Sequence, residues 1–422
     1  MGIPFYVRSL IRSHPAIEQD PPTDVDVLAL DFNCFLHRYL DPDEPIGSVL
    51  LALDDFLKTM HAKQVYIAFD GLVPMAKIVQ QRYRRMKKPE TSSAFDKHQI
   101  SPGTPYMREL ADAIRLLFPQ CILSDTLERG EGEHKIFLWL RTLPEEDRKS
   151  ICIYGLDADL VLIAIAQSHL GHIRVLREKE KEPGFSVLSI PALMAVLPID
   201  AETYVNLSVL SFGNDFLPNL AMFSLRKDGY TRALFYADKD TAHKDETRIL
   251  IKRAEDPAVV ASDGHALEQR FAVHRMDGVV NWAPVVHAFW KTYAWTLHYF
   301  KTSEVLDWCW VYPYPEAPLV ATLDDFEKET EFVWDHPEPP FTLEDHLRWI
   351  LPEESLRRAG LEPRFPDELY DEATETRVPW MRRYTWEADP WVSLPLGLLT
   401  RTSEVVLPPS EPLPASSRSR VA

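Results

Sequence analysis

The sequence predicts an α/β fold on a parallel-rich central sheet flanked by helices, and two observations carry that prediction. Three short apolar runs, 27–31, 65–70 and 151–157, are β-rich, with helical stretches between them. Continuous apolar runs of this length are those of strands buried on both faces, as in parallel sheets. Each run also ends on an aspartate: Asp31, Asp70 and Asp157. In open parallel sheets the ligand crevice lies beyond the carboxyl ends of the strands, so these three acids are delivered to one edge. Carboxylates gathered there repel one another, and a bound divalent cation relieves the repulsion.

More acid follows. Asp159 lies two residues after Asp157 and points the same way in an extended loop. The run Gly130-Glu131-Gly132-Glu133-His134-Lys135-Ile136 opens a helix through Phe137, Leu138 and Leu140. Its glycines permit a sharp turn and close approach to a ligand. In Phe212-Gly213-Asn214-Asp215-Phe216-Leu217-Pro218, a proline closes a Gly/Asn turn around one more aspartate. Any one of these acids reads equally well as a helix cap or a surface charge. Together, at strand ends and glycine-flanked turns, they read as a metal site.

Opposite charge stands close by. From Lys77 to Lys88 there are six basic residues and no acid. At 3.6 residues per turn, Lys77, Gln81, Arg84, Arg85 and Lys88 share one helix face, with Val79, Tyr83 and Met86 on the apolar side. Arginine forks and a lysine on one face suit a terminal phosphate. A solvated surface helix is the ordinary reading of such a run; its place seven residues after Asp70 favours the phosphate site.

Bulk composition sets the frame. The chain has 422 residues, 45% hydrophobic and 26% charged, as in an ordinary globular protein with room for a large core. No apolar stretch is long enough to span a membrane, and the N-terminus lacks the layout of a signal peptide. The four cysteines are dispersed, which favours reduced thiols over disulfides or a zinc site. A formal charge of −18 is unusual for a nucleic-acid binder, and only the local basic helix offsets it.

These motifs resemble, in order, those of the XRN-type 5′→3′ exoribonucleases. The resemblance runs through Met1-Gly2-Ile3-Pro4, Asp31-Phe32-Asn33 with His37, Asp70-Gly71 with Pro74, Ala76 and Lys77, and Gln80-Gln81-Arg82 with Arg84-Arg85. It continues through Ser101-Pro102-Gly103-Thr104, Gly130–Lys135, Tyr154–Leu160 and Gly213–Pro218. It resumes at Trp295–Tyr299 and Trp308–Tyr314, and weakly at Trp386-Glu387-Ala388. The resemblance implies a PIN/FEN-like α/β domain backed by a mainly helical C-terminal segment that narrows the entrance. It implies that Asp31, Asp70, Glu131, Glu133, Asp157, Asp159 and Asp215 bind two catalytic Mg2+ ions, with Mn2+ as a substitute. It also implies a 5′-monophosphate pocket at Lys77, Gln81, Arg84 and Arg85. Base stacking is implied for His37 and for one of Trp308 and Trp310. The activity implied is hydrolysis of single-stranded RNA from a 5′-monophosphate end by two-metal-ion catalysis. The chain departs from the family in the short stretch 86–100, where relatives carry a longer helical insertion, and in a short linker, so that it reads as a compact member with the catalytic core.

Along the chain, residues 1–245 read as the catalytic lobe and 246–270 as a charged linker. Residues 271–400 read as a Trp/Pro-rich C-terminal lobe and 401–422 as a disordered tail. Trp282, Trp290, Trp295 and Tyr299, at helical spacing, read as core. The expected protein is monomeric and cytoplasmic, with the nucleus as the alternative compartment. Two rival readings are a FEN-like nuclease acting on DNA flaps and a non-catalytic module that captures 5′-phosphorylated RNA.

Overall fold

In the computed structural model, alternate residues of the first apolar run bury on opposite faces of the sheet. Val27 and Ala29 pack on one side, Leu28 and Leu30 on the other. Ile151 and Ile153 against Cys152 and Tyr154 repeat the split. Both faces are therefore covered, which is why these runs lack polar alternation. The structure describes residues 3, 5–86, 95–179, 183–220, 281–314 and 316–363, with single positions at 244, 246, 271, 272 and 276. The 401–422 tail, nearly all of the linker and the Trp386 motif lie outside the described residues.

The described strands are β1 (Glu18–Gln19), β2 (Asp24–Asp31), β3 (His61–Ala68), β4 (Ile122–Ser124), β5 (Ser150–Tyr154), β6 (His172–Glu178) and β7 (Phe185–Ser189). They lie in the order β1-β7-β6-β5-β2-β3-β4. The five strands from β6 to β4 run parallel. β7 is antiparallel to β6, and β1 to β7. The short connection 179–184 forces that antiparallel edge, because a parallel return needs a crossover of a dozen or more residues. From β2 the chain builds outward through β3 and β4, then returns to start β5 on the other side. The topological switch point thus falls between β2 and β5, where an open sheet places its ligand crevice.

Helices α1 (Tyr6–Ser13), α6 (Gly132–Thr142), α7 (Asp159–Ala166), α8 (Ile190–Val196), α9 (Ala201–Phe212), α10 (Ala283–Thr302) and α11 (Val320–Asp324) contribute to the core on the Val27 face. Helices α2 (Phe32–Tyr39), α3 (Gly47–Leu57) and α5 (Pro105–Leu117) cover the Leu28 face. A third apolar cluster joins α4 (Met75–Met86) to α12 (Leu343–Ile350) and α13 (Glu353–Arg358) through Ile78, Val79, Trp308, Leu347, Trp349 and Leu356. The C-terminal segment therefore packs on both the sheet's core and the basic helix. A reciprocal capping box between Thr342 and Asp345 fixes the start of α12. Among the described residues, no single helix is long and apolar enough to cross a membrane.

The polar face of helix α4 is more covered than its spacing alone foretells. Lys77 and Gln81 are buried, Arg85 is half-buried, and Arg84 alone of the four is exposed. Arg82, fully buried, donates through Nη1 to the carbonyl of Trp349 at 2.6 Å. The cause is that α4 is covered on two sides, by the acids beyond the sheet and by α12. Lys88 and the side chains of Tyr83 and Met86 lie outside the described residues.

Candidate metal centre and basic helix

Register brings the acids together. Asp31 is the last residue of β2, opposite Ala68 of β3, and Asp70 follows two residues later. Carboxylate oxygens of Asp31, Asp70 and Glu133 all lie within 4.8 Å of one another. Glu131 is the residue before α6 and Glu133 sits in its first turn. The Gly132 amide donates to Asp70 Oδ1 at 2.8 Å, so the positive end of α6 meets this carboxylate. A Cβ on Gly132 would come to 2.9 Å from Asp31 Oδ1 and 3.0 Å from the Ala68 carbonyl, which explains the glycine between two acids. Asp159 opens α7. Asp215 is held by a turn in which Gly213 has φ +68° and Asn214 Oδ1 accepts from the amides of Phe216 and Leu217.

Electrostatics join these groups into one field. Burial, reinforced by Asp70, pushes the pKa of Asp31 up to about 7. Burial lifts Glu131 to about 7, Lys77 opposing and Asp70 and Asp215 adding. Asp159 rises to about 6 through burial and then the charges of Asp157 and Asp215. Glu133 rises well above the carboxylate range through burial, Glu131 and Asp31. Asp159 Oδ1 is buried with no hydrogen-bond partner among the described residues. A buried carboxylate oxygen without a donor is costly, and hard anionic oxygens from several elements are the donor set for a divalent cation. The acids fit such an ion.

The basic helix touches this cluster directly. Lys77 Nζ lies 2.5 Å from Glu131 Oε2 and 3.0 Å from Asp215 Oδ2. Burial disfavours its charge, but the acids win and raise its pKa. About two turns farther along α4, Arg85 Nη2 donates to the carbonyl of Ile100 and to Ser101 Oγ. Its Nη1 is buried with no partner among the described residues. Burial and the neighbouring Arg84 lower the Arg85 pKa to about 9. His37, at the exposed C-terminal end of α2, feels the same charges: desolvation by surrounding protein, then Arg84, Arg85 and Lys97, pull its pKa down to about 4.

Several supporting residues escaped the sequence reading. Asn33 Nδ2 donates to Asp70 Oδ2 at 2.8 Å, and the Cys34 thiol donates to Asp31 Oδ2 at 2.8 Å. Tyr299, expected only as core, is buried yet donates its hydroxyl to Glu131 Oε1 at 3.1 Å and stacks on His134 at 3.6 Å. Its place in the Trp295–Tyr299 motif was the one available signal. The two candidate stacking tryptophans differ in their surroundings. Trp308 is buried between α4 and Phe341, its carbonyl accepting from the Met75 amide, so it is a core residue with little face left for a base. Trp310 is half-buried, with Lys291 Nζ 4.3 Å from its ring centre and Nε1 donating to Thr292. Among the described residues, His37 contacts neither ring.

Residues 1–93 and 86–179 match the profile of the XRN 5′-3′ exonuclease N-terminus. This part of the chain is similar to the XRN family. The XRN match holds Asp31, Asp70, Glu131, Glu133, Asp157 and Asp159, the four α4 residues and His37, while Asp215 and Tyr299 lie beyond it. Over 307 residues the chain is 27% identical to 5′-3′ exoribonuclease 1 of Saccharomyces cerevisiae, covering 54% of this chain and 20% of that one. It is 30% identical to 5′-3′ exoribonuclease 2 of Debaryomyces hansenii over 251 residues, 42% of this chain and 25% of that one. With 5′-3′ exoribonuclease 2 of Candida albicans the figures are 27% over 343 residues, 54% and 35%. The matched region thus spans between a fifth and about a third of these XRN relatives. The solved catalytic core of Rad2 in complex with a DNA substrate aligns over 87% of this chain and 97% of its own, at 15% identity and a TM-score of 0.42.

Proposed function

We propose that this chain is a 5′→3′ exoribonuclease that hydrolyses single-stranded RNA from a 5′-monophosphate end with the aid of two Mg2+ ions. The observation that carries this reading is the double ion pair of Lys77 with Glu131 and Asp215, which makes the cationic helix and the acid cluster immediate neighbours. A strand end gripped by the helix then enters the acids within a nucleotide or so of its leading phosphate.

Asp31, Asp70, Glu131, Glu133, Asp157, Asp159 and Asp215 would hold the ions. When bound, such a pair of ions supplies a water nucleophile at neutral pH and neutralises charge on the leaving oxygen. Lys77, Gln81, Arg84 and Arg85 would bind and orient the end phosphate, and the buried Arg85 Nη1, without a partner among the described residues, is a donor suited to one of its oxygens. Asn33, Cys34 and Tyr299 orient the acids that they bond. His37, uncharged near neutral pH because its pKa lies at about 4, offers a flat neutral ring at the arginine end of the helix.

The test is digestion of 3′-labelled single-stranded RNA by the full chain in Mg2+, with a 5′-monophosphate or a 5′-hydroxyl. The expected result is release of mononucleotides from the phosphorylated RNA, slow attack on the hydroxyl end, and none in EDTA. Preferential cutting of DNA flaps would replace this reading with a flap nuclease. Tight binding without product in Mg2+ or Mn2+ would replace it with a capture module.

A further inference from the structure

Gln81 is buried on α4, and its Oε1 lies 2.7 Å from Nε2 of His346, a fully buried residue of α12 265 positions away. A carbonyl oxygen only accepts, so Nε2 carries the proton of this bond. Burial and the nearby Arg85 push the His346 pKa down to about 3. The ring is therefore neutral with a single N–H, and its Nδ1 is buried with no partner among the described residues. The Gln81 amide nitrogen makes no hydrogen bond among the described residues, and the residue is 3% exposed.

We infer that His346 is the positioning residue that locks the Gln81 amide with its two N–H donors, not its carbonyl oxygen, turned to an anionic strand end. The inference rests on the phosphate-pocket reading of α4 given above. Freed from His346, the amide can turn over and present an oxygen, exchanging attraction for repulsion toward a phosphate. The neighbouring Gln80 shows that burial on this helix does not itself fix an amide: both its ends are buried without partners among the described residues. A second long bond, Arg82 to the Trp349 carbonyl, pins the same two helices and keeps the His346–Gln81 distance short. Selectivity for the strand end thus depends on α12, which lies outside the matched 179 residues.

The experiment measures binding of short single-stranded RNA with a 5′-monophosphate or a 5′-hydroxyl to the full chain in EDTA, by fluorescence anisotropy. His346→Phe and His346→Leu keep apolar volume and remove the donor; His346→Gln restores a donor at similar reach. Thermal melting confirms that each variant folds. The unaltered chain should prefer the phosphorylated RNA, and each apolar variant should lower that preference by about tenfold. His346→Gln should recover most of it, and His346→Phe added to Gln81→Ala should cost nothing further. Three results overturn the inference: apolar variants that discriminate as well as the unaltered chain, an equal loss on both RNAs, or additivity with Gln81→Ala. If the unaltered chain itself binds both ends equally, the pocket reading falls and this inference with it.

Discussion

Asp159→Asn is expected to reduce RNA hydrolysis in Mg2+ by about 10³-fold, roughly 4 kcal/mol of transition-state stabilisation, while leaving the metal-free protein at least as stable. Asp159 is buried at the first turn of α7, and one of its oxygens has no partner among the described residues. Its pKa of about 6 means that near pH 7.5 it is held ionised at a cost, among Asp157 and Asp215. A carboxylate whose folded pKa is raised loses stability as pH climbs from its unfolded value up to the folded one, and above the folded value the loss is complete. The amide removes the charge, so the melting temperature in EDTA should not fall at pH 7.5. It cannot replace a carboxylate as an anionic ligand, so the stabilisation conferred by Mg2+ should shrink along with activity. An ordinary structural aspartate would behave the opposite way, with stability lost and catalysis spared. Melting with and without Mg2+, beside turnover of 5′-phosphorylated RNA, separates the two.

Arg84→Ala combined with Arg85→Ala should lower the preference for a 5′-monophosphate over a 5′-hydroxyl by roughly 100-fold, since each charge-assisted hydrogen bond lost is worth about 1.5–3 kcal/mol. The two arginines are not equivalent. Arg84 is exposed, so Arg84→Ala alone should leave stability unchanged and reduce end preference. Arg85 also ties α4 to the loop at Ile100 and Ser101, so its removal should cost some stability as well. Competition between the two RNA ends, measured as a ratio of kcat/KM, isolates recognition from folding. A ratio unmoved in the double variant would place the phosphate elsewhere.

Much of the metal centre was legible because its parts are local. A parallel strand ending on aspartate announces where that side chain goes, and Gly-Glu-Gly-Glu ahead of an apolar helix announces a turn with two acids at its start. What escaped notice depends on contacts between distant residues. Tyr299 reaches Glu131 across 168 positions and Arg82 reaches Trp349 across 267. Nothing in a run of basic residues says that α12 will cover half of it. Helical spacing grouped Lys77, Gln81, Arg84 and Arg85 on one face, but could not say that its first half is covered and that only Arg84 is exposed. The resemblance left Trp308 and Trp310 as equal candidates for stacking on a base. Instead Trp308 lies buried against α4 and Phe341.

The most direct measurement is calorimetric titration of the full chain with Mn2+. Two ions should bind per chain, as two-metal chemistry requires, with affinity rising between about pH 5.5 and about pH 8. Asp31 and Glu131, near 7, and Asp159, near 6, are largely protonated at the acid end of that range and must give up protons to become ligands. Heats compared in buffers of different ionisation enthalpy should therefore reveal protons released near pH 6 and far fewer near pH 8. Absence of saturable binding, or binding that releases no protons near pH 6, would contradict a cation site built from these carboxylates.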